Sequence, residues 1–139
     1  MGRSERQIRV LVADDSRIVL QSICDFLVYD GRFDVVGTAH DGLALVEKAK
    51  TLQPDLVLLD LSMPKLNGLH AAREIRKQSP EIRILILSGS EGAPMEEECQ
   101  RSGADGFVEK SQVPGKLMQE VLRLFPQIEE PTVSEHGKS

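Results

Sequence analysis

An excess of positive charge is what this chain most plainly lacks. Its 139 residues carry 22 acidic side chains against 17 Lys and Arg, a net charge of −5 at neutral pH. Nucleic-acid surfaces gather Lys and Arg to neutralise phosphates, so no DNA-binding face is expected on this segment. Cysteine is scarce: Cys24 and Cys99 are too few for a disulfide framework or a zinc site built on thiolates. Both fall in stretches that read as helices, where a small, half-buried apolar residue is the expected role. The histidines His40, His70 and His136 are scattered without metal-ligand spacing and read as surface residues. No apolar run approaches ~18 residues, so no segment is expected to span a membrane. Met1 to Arg6 lacks the apolar stretch of a signal peptide, and Arg6 stands where a myristoylation motif requires Ser or Thr. The expectation is a single soluble, cytoplasmic domain kept reduced. At this length one core buries ~68% of the unfolded chain's surface, enough to fold without staples.

Hydrophobic residues, 40% of the chain, fall into a regular order. Five short apolar runs read as strands: Ile8 to Ala13, Phe33 to Ala39, Leu56 to Leu59, Ile82 to Leu87 and Gly106 to Val108. The third and fourth are continuously apolar rather than alternating, the pattern of strands covered on both faces of a parallel sheet. Helical stripes lie between them. Val19, Ile23 and Phe26 share a face of the first, and Leu45, Val46, Ala49 and Leu52 line the second. Leu69, Ala72 and Ile75 mark the third, and Leu117, Val121 and Leu124 the last. Leu43 lies off the stripe of its helix and reads as a partly exposed apolar residue. The fourth helix reads from Pro94, a favoured first-turn residue, with Glu96, Glu97 and Glu98 placed well against a helix N-terminus. Strands alternating with helices make a (βα)₅ chain that right-handed crossovers wind into an α/β three-layer sandwich. Residues 1–125 form the expected domain. Residues 126–139, rich in Pro, Ser and Gly, read as a flexible tail or truncated linker.

The acidic residues are placed with purpose. Asp14 and Asp15 directly follow the first strand, and Asp60 directly follows the third. In an open parallel sheet, ligands bind beyond the carboxyl ends of the strands where the strand order reverses. With the order 2-1-3-4-5 that point lies between the first and third strands, and the three carboxylates converge there. Like charges so close cannot all stay ionised unaided, and a divalent cation relieves them. An all-oxygen donor set with open water positions suits Mg²⁺. Helix capping alone would account for Asp14 or Asp15 but not for Asp60 at the tip of a neighbouring strand. Ser88 and Lys110 end the fourth and fifth strands at the same mouth, a hydroxyl and an ammonium fit for phosphate oxygens. The set fits phosphoryl transfer to a carboxylate, with Asp60 as nucleophile.

Four blocks in order carry a family resemblance over about residues 7–125. They are Val10-Leu11-Val12-Ala13-Asp14-Asp15, then Pro54 to Pro64 with Asn67-Gly68, then Ile86-Leu87-Ser88, then Gly103 to Lys110. The chain resembles the receiver domain of bacterial two-component response regulators, which have the flavodoxin-like 2-1-3-4-5 sheet. The resemblance implies that a histidine kinase or phosphotransfer protein passes a phosphoryl group to Asp60. It implies Mg²⁺ on Asp15, Asp60 and the backbone carbonyl of Ser62, with Asp14 acting through a water. Ser88 and Lys110 would hold the phosphoryl oxygens. Ser88 would be drawn toward the phosphate and Phe107 would turn inward, changing the face made by the fourth helix, fifth strand and fifth helix. Homodimerisation on phosphorylation would follow from that change. The chain would be no enzyme beyond accepting and losing its own phosphoryl group. The wording of residues 60–69 and Lys110-Ser111 looks most like receivers fused to helix-turn-helix output domains. The alternative is a stand-alone receiver acting by protein contact.

Three departures stand out. Ser111 replaces the proline that often follows the lysine, so a trans bond and a looser loop are expected there. Phe107 replaces the commoner tyrosine, and Gly89 replaces a small alanine. Uncharged Ser62 and Ser90 flank the site and are expected to leave water access to an acyl phosphate, giving it no unusual lifetime. Two enzymes of related topology or chemistry fit less well. A flavin domain would need a phosphate-binding loop where Asp14 and Asp15 stand, and an aspartate phosphatase would need a second Asp where Ser62 stands.

Overall fold

A computed structural model of the chain describes residues 7–61, 63, 67–89 and 96–128. Strands and helices alternate as β1 (Ile8–Ala13), α1 (Arg17–Asp30), β2 (Phe33–Ala39), α2 (Gly42–Leu52) and β3 (Leu56–Asp60). They continue as α3 (Gly68–Gln78), β4 (Arg83–Ser88), α4 (Glu96–Arg101), β5 (Gly106–Glu109) and α5 (Gly115–Leu124). The five strands pair in parallel in the order β2-β1-β3-β4-β5. The apolar runs of the sequence fall on these strands to within a residue or two at their ends.

Alternation along the strands divides the interior in two. Val10, Val12, Leu56, Leu58, Leu85 and Leu87 point to one side and meet Leu20, Ile23 and Leu27 of α1 and Leu117 and Val121 of α5. Leu11, Val57, Leu59, Ile84 and Ile86 point to the other and meet Leu45 and Ala49 of α2, Ala71, Ala72 and Ile75 of α3, and Cys99 of α4. Both faces of β3 are therefore covered, which explains its unbroken apolar run. Each fully buried Leu or Ile contributes roughly 1.5–3 kcal/mol by leaving water, so these two layers are the main source of stability.

Local signals set the helix ends. Ser16 caps α1 by accepting from Val19 N–H at 3.3 Å, and Gly31, at φ +88°, ends it in the left-handed region. Asp41 caps α2 and Asn67 caps α3 in the same way. The apolar face of α1 differs from the sequence reading. Leu20, Ile23 and Leu27 are the buried residues, while Val19 and Phe26 pack at the margin. Ile18-Val19-Leu20 and Phe26-Leu27-Val28 are contiguous apolar triplets, and periodicity alone does not choose the phase within a triplet. Pro94 lies outside the described residues, and α4 is described from Glu96.

The segment after Lys110 is not a loose loop. Lys110–Gln112 forms a 3₁₀ turn, and the one cis peptide among the described residues is Val113–Pro114, so Lys110–Ser111 is trans as expected. Ile128 packs against the core shared with α1 and α5, and its N–H donates to Phe125 O at 3.1 Å. Ordered contacts thus reach three residues past Phe125. Cys24 and Cys99 are both free; Cys24 is half-buried, and burial, then the charge of Asp25, pushes its thiol up. His40 and His70 are exposed, His136 lies outside the described residues, and Leu43 is exposed. No described helix is long and apolar enough to cross a membrane.

Candidate functional site

Strand register brings the site residues together. Ala13 of β1 pairs with Leu59 of β3, so the next residues, Asp14 and Asp60, stand side by side. Asp60 pairs with Leu87 and Ser88 pairs with Glu109, which puts Ser88 and Lys110 at the same carboxyl-end edge. One oxygen each from Asp14, Asp15 and Asp60 lie within 4.8 Å of one another. Asp14 is fully buried, Asp60 is 4% exposed, and Asp15 is open to solvent. Three hard carboxylate donors, two of them shielded and one wet, fit Mg²⁺.

Lys110 stands among these acids. Its Nζ lies 2.9 Å from Asp14 Oδ2 and 3.1 Å from Asp60 Oδ1. Each attraction is worth about 5 kcal/mol at an effective dielectric near 20, before the cost of desolvation. Repulsion between carboxylates some 5 Å apart is about 3 kcal/mol on the same basis. One ammonium therefore holds two buried carboxylates, and within this described cluster three acidic groups stand against one positive charge. Burial pulls the Lys110 ammonium down, but the facing carboxylates of Asp14 and Asp60 more than reverse this and its pKa stands above the usual 10.5. Among the described residues, Asp14 Oδ2 meets no hydrogen-bond donor of good geometry, and its close partner is the Lys110 ammonium at 2.9 Å. That oxygen is an atom a cation would satisfy.

Asp14 is also fixed by the backbone. Its Oδ1 accepts Ser16 N–H at 2.9 Å, and its own N–H donates to Ala39 O at 3.1 Å. Because Ser16 takes the capping role, Asp15 is left exposed at the mouth. Ser88 is fully buried, and its hydroxyl donates to Gly89 O at 3.3 Å. Phe107 is half-buried against the α2–α4 side of the core. It also lines a cavity of about 480 Å³ between α4, β5 and α5, together with Cys99, Lys116 and Arg123. Ser62 and Ser90 lie outside the described residues.

The double pairing of Lys110 was not visible in the sequence, which placed the lysine at the mouth but gave it only phosphate oxygens to meet. The near-contact between Gly68 and the strand end carrying Asp60 was also missed. Its one local signal is Asn67-Gly68, a cap followed by the smallest residue.

Fold and site define a parallel α/β domain with an acidic cation pocket and a lysine at the strand tips. The model of the response regulator receiver domain matches residues 10–122, and the chain belongs to that family. It is 41% identical over 109 residues to a protein-glutamate methylesterase/protein-glutamine glutaminase of Thermotoga maritima, covering 77% of this chain and 31% of that one. It is 30% identical over 115 residues to the transcriptional regulatory protein LnrK of Bacillus subtilis, covering 83% of this chain and 52% of that one. The signal receiver domain of NarL from Mycobacterium tuberculosis superposes with a TM-score of 0.81 at 30% identity, covering 88% of this chain and 98% of that one. The chain thus spans about a third of the length of the first of these curated relatives and about half of the second.

Proposed function

We propose that this domain is a phosphorylation-dependent switch in which Asp60 accepts a phosphoryl group from a histidine kinase or phosphotransfer protein, in a Mg²⁺-dependent reaction. The observation that carries this reading is the convergence of Asp14, Asp15, Asp60 and Lys110 at one end of the sheet. A carboxylate oxygen of Asp60 attacks phosphorus, the bond from phosphorus to the donor breaks, and the donor leaves with the electron pair. Attack of water on the acyl phosphate later returns the carboxylate and inorganic phosphate. Asp15, Asp60 and the Ser62 carbonyl, with Asp14 through a water, are the residues to hold Mg²⁺. When bound, the ion offsets charge on the transferring oxygens. Lys110, 3.1 Å from Asp60 Oδ1, needs only a small movement to meet the same oxygens. The Ser88 hydroxyl, given in this structure to a neighbouring carbonyl, would turn to the phosphoryl group, and Phe107 would repack. The α4–β5–α5 face carries the change to partners, including a second copy of the chain. The domain itself is read as catalysing no reaction on another substrate, as making no direct contact with nucleic acid or membrane, and as cytoplasmic.

The transcriptional output read from the sequence is supported by the similarity to LnrK. A second output, linkage to a methylesterase, is favoured by the higher identity to the Thermotoga protein, 41% against 30%. The coding sequence downstream separates these from a stand-alone receiver. Incubation with a small-molecule phosphodonor and Mg²⁺, followed by intact mass, tests the switch reading. Wild type gains one phosphoryl group, and Asp60→Asn or chelation of Mg²⁺ prevents it. A wild type that gains none overturns the reading.

A further inference from the structure

Gly68 opens α3 within touching distance of the peptide that carries the phosphoacceptor. A Cβ built there would stand 2.6 Å from Asp60 O, 2.8 Å from Leu61 Cα and 2.8 Å from Leu59 Cδ1. Two of these are backbone atoms, one at the end of the buried central strand and one in the residue that follows it, and neither can swing aside as a side-chain tip can. The approach is held from both sides. Gly68 N–H donates to Leu61 O at 2.9 Å, Leu61 N–H donates to Leu87 O at 2.9 Å, and Asn67 Oδ1 accepts His70 N–H at 3.0 Å. The first turn of α3 is therefore seated directly on the end of β3, without a side chain between.

We propose that Gly68 is a positioning residue for the site. By leaving no Cβ, it lets α3 clamp the Asp60–Leu61 peptide and so fixes where the Asp60 carboxylate stands relative to Asp14, Asp15 and Lys110. The proposal rests on the reading of those acids as a cation and phosphoryl site. A methyl group at this position must push the strand end or lift the helix by several tenths of an ångström. Residues that orient metal ligands from behind typically change affinity 10- to 100-fold when altered. Gly37 offers a matched control. It sits in the edge strand β2, where a Cβ would meet only the side-chain tips of Leu52 at 2.9 Å and Leu11 at 3.3 Å.

The test compares wild type, Gly68→Ala, Gly37→Ala and Asn67→Ala. Mn²⁺ affinity of the unphosphorylated proteins is read by electron paramagnetic resonance, with phosphoryl uptake by intact mass and folding by circular dichroism. The expected result is a folded Gly68→Ala that binds Mn²⁺ at least about tenfold more weakly, beside a Gly37→Ala that binds as wild type. A folded Gly68→Ala with wild-type affinity overturns the proposal, and so does an equal loss in Gly37→Ala. Should Gly68→Ala not fold, Asn67→Ala decides, because it loosens the helix seat without adding an atom. A several-fold loss supports the clamp and wild-type affinity overturns it. Wild type that takes up no phosphoryl group defeats the switch reading, whereas normal wild type beside a normal Gly68→Ala defeats only the clamp.

Discussion

Lys110 Nζ lies 2.9 Å from Asp14 Oδ2, and Asp14 has no exposed surface. A buried carboxylate left without its counter-charge costs several kcal/mol, so this ammonium contributes to the stability of the fold itself. Lys110→Met in the absence of Mg²⁺ should therefore destabilise the fold by about 2–3 kcal/mol, below the full buried-pair value because the lysine is part exposed. Added Mg²⁺ should recover part of the loss, since a cation at the same carboxylates replaces the missing charge. Urea unfolding with and without Mg²⁺ checks both. Equal stability of the variant and wild type without Mg²⁺ would show that the pair contributes nothing.

The sign of the pH dependence follows from the raised pKa of Lys110. Its stabilising contribution is complete below the unfolded value of about 10.5 and fades as pH climbs through the higher folded value. Wild type should lose stability in that alkaline window more steeply than Lys110→Met. Denaturant melts at stepped pH above 9.5 read the difference, with ~9.5 chosen one unit below the reference.

Acid stability has a different source at the foot of α1. The Arg32 guanidinium, 2.8 Å from Asp30 Oδ1, holds the Asp30 carboxyl below its usual 3.8 against the opposing pull of burial. A depressed folded pKa stabilises above the unfolded value and is lost as pH falls through the folded one. Asp30→Asn should cost about 1 kcal/mol near neutral pH. Its gap from wild type should narrow as pH falls below the usual 3.8 and close as pH passes the lower folded value.

Arg76 offers a test that separates fold from site. Its guanidinium pairs with Asp105 Oδ2 at 2.7 Å and donates to Gly103 O, Pro80 O and Ile82 O, stitching α3 to the start of β4 and β5. Asp105 also accepts Ile84 N–H at 2.8 Å. These contacts lie at the end of the sheet opposite Asp60. Arg76→Ala should lose about 2–3 kcal/mol of stability yet take up phosphoryl at the wild-type rate while folded. A selective loss of uptake at unchanged stability would contradict this placement.

Much of the fold was legible because strand runs such as Leu56-Val57-Leu58-Leu59 are short, dense and bounded by polar residues. The three acids were legible for the same reason: each directly follows such a run, so strand ends and site residues were found together. The phase of α1 was not, since Leu20 and Leu27 sit inside apolar triplets whose members are equally hydrophobic to a periodicity argument. Contacts between distant strands were not either. That Lys110 reaches both Asp14 and Asp60 depends on strand pairing and on a lysine stem lying across the strand tips. The clash awaiting a Cβ at residue 68 depends on how closely α3 approaches β3. Neither distance is written in local sequence.

The most direct measurement is to locate the modification itself. The protein is treated with a small-molecule phosphodonor and Mg²⁺, reduced with borohydride to convert an acyl phosphate into the corresponding alcohol, and mapped by tandem mass spectrometry. Homoserine at position 60 is the predicted result. An unmodified Asp60, or a label at Asp14, Asp15 or another acid, would contradict the assignment of Asp60 as phosphoacceptor.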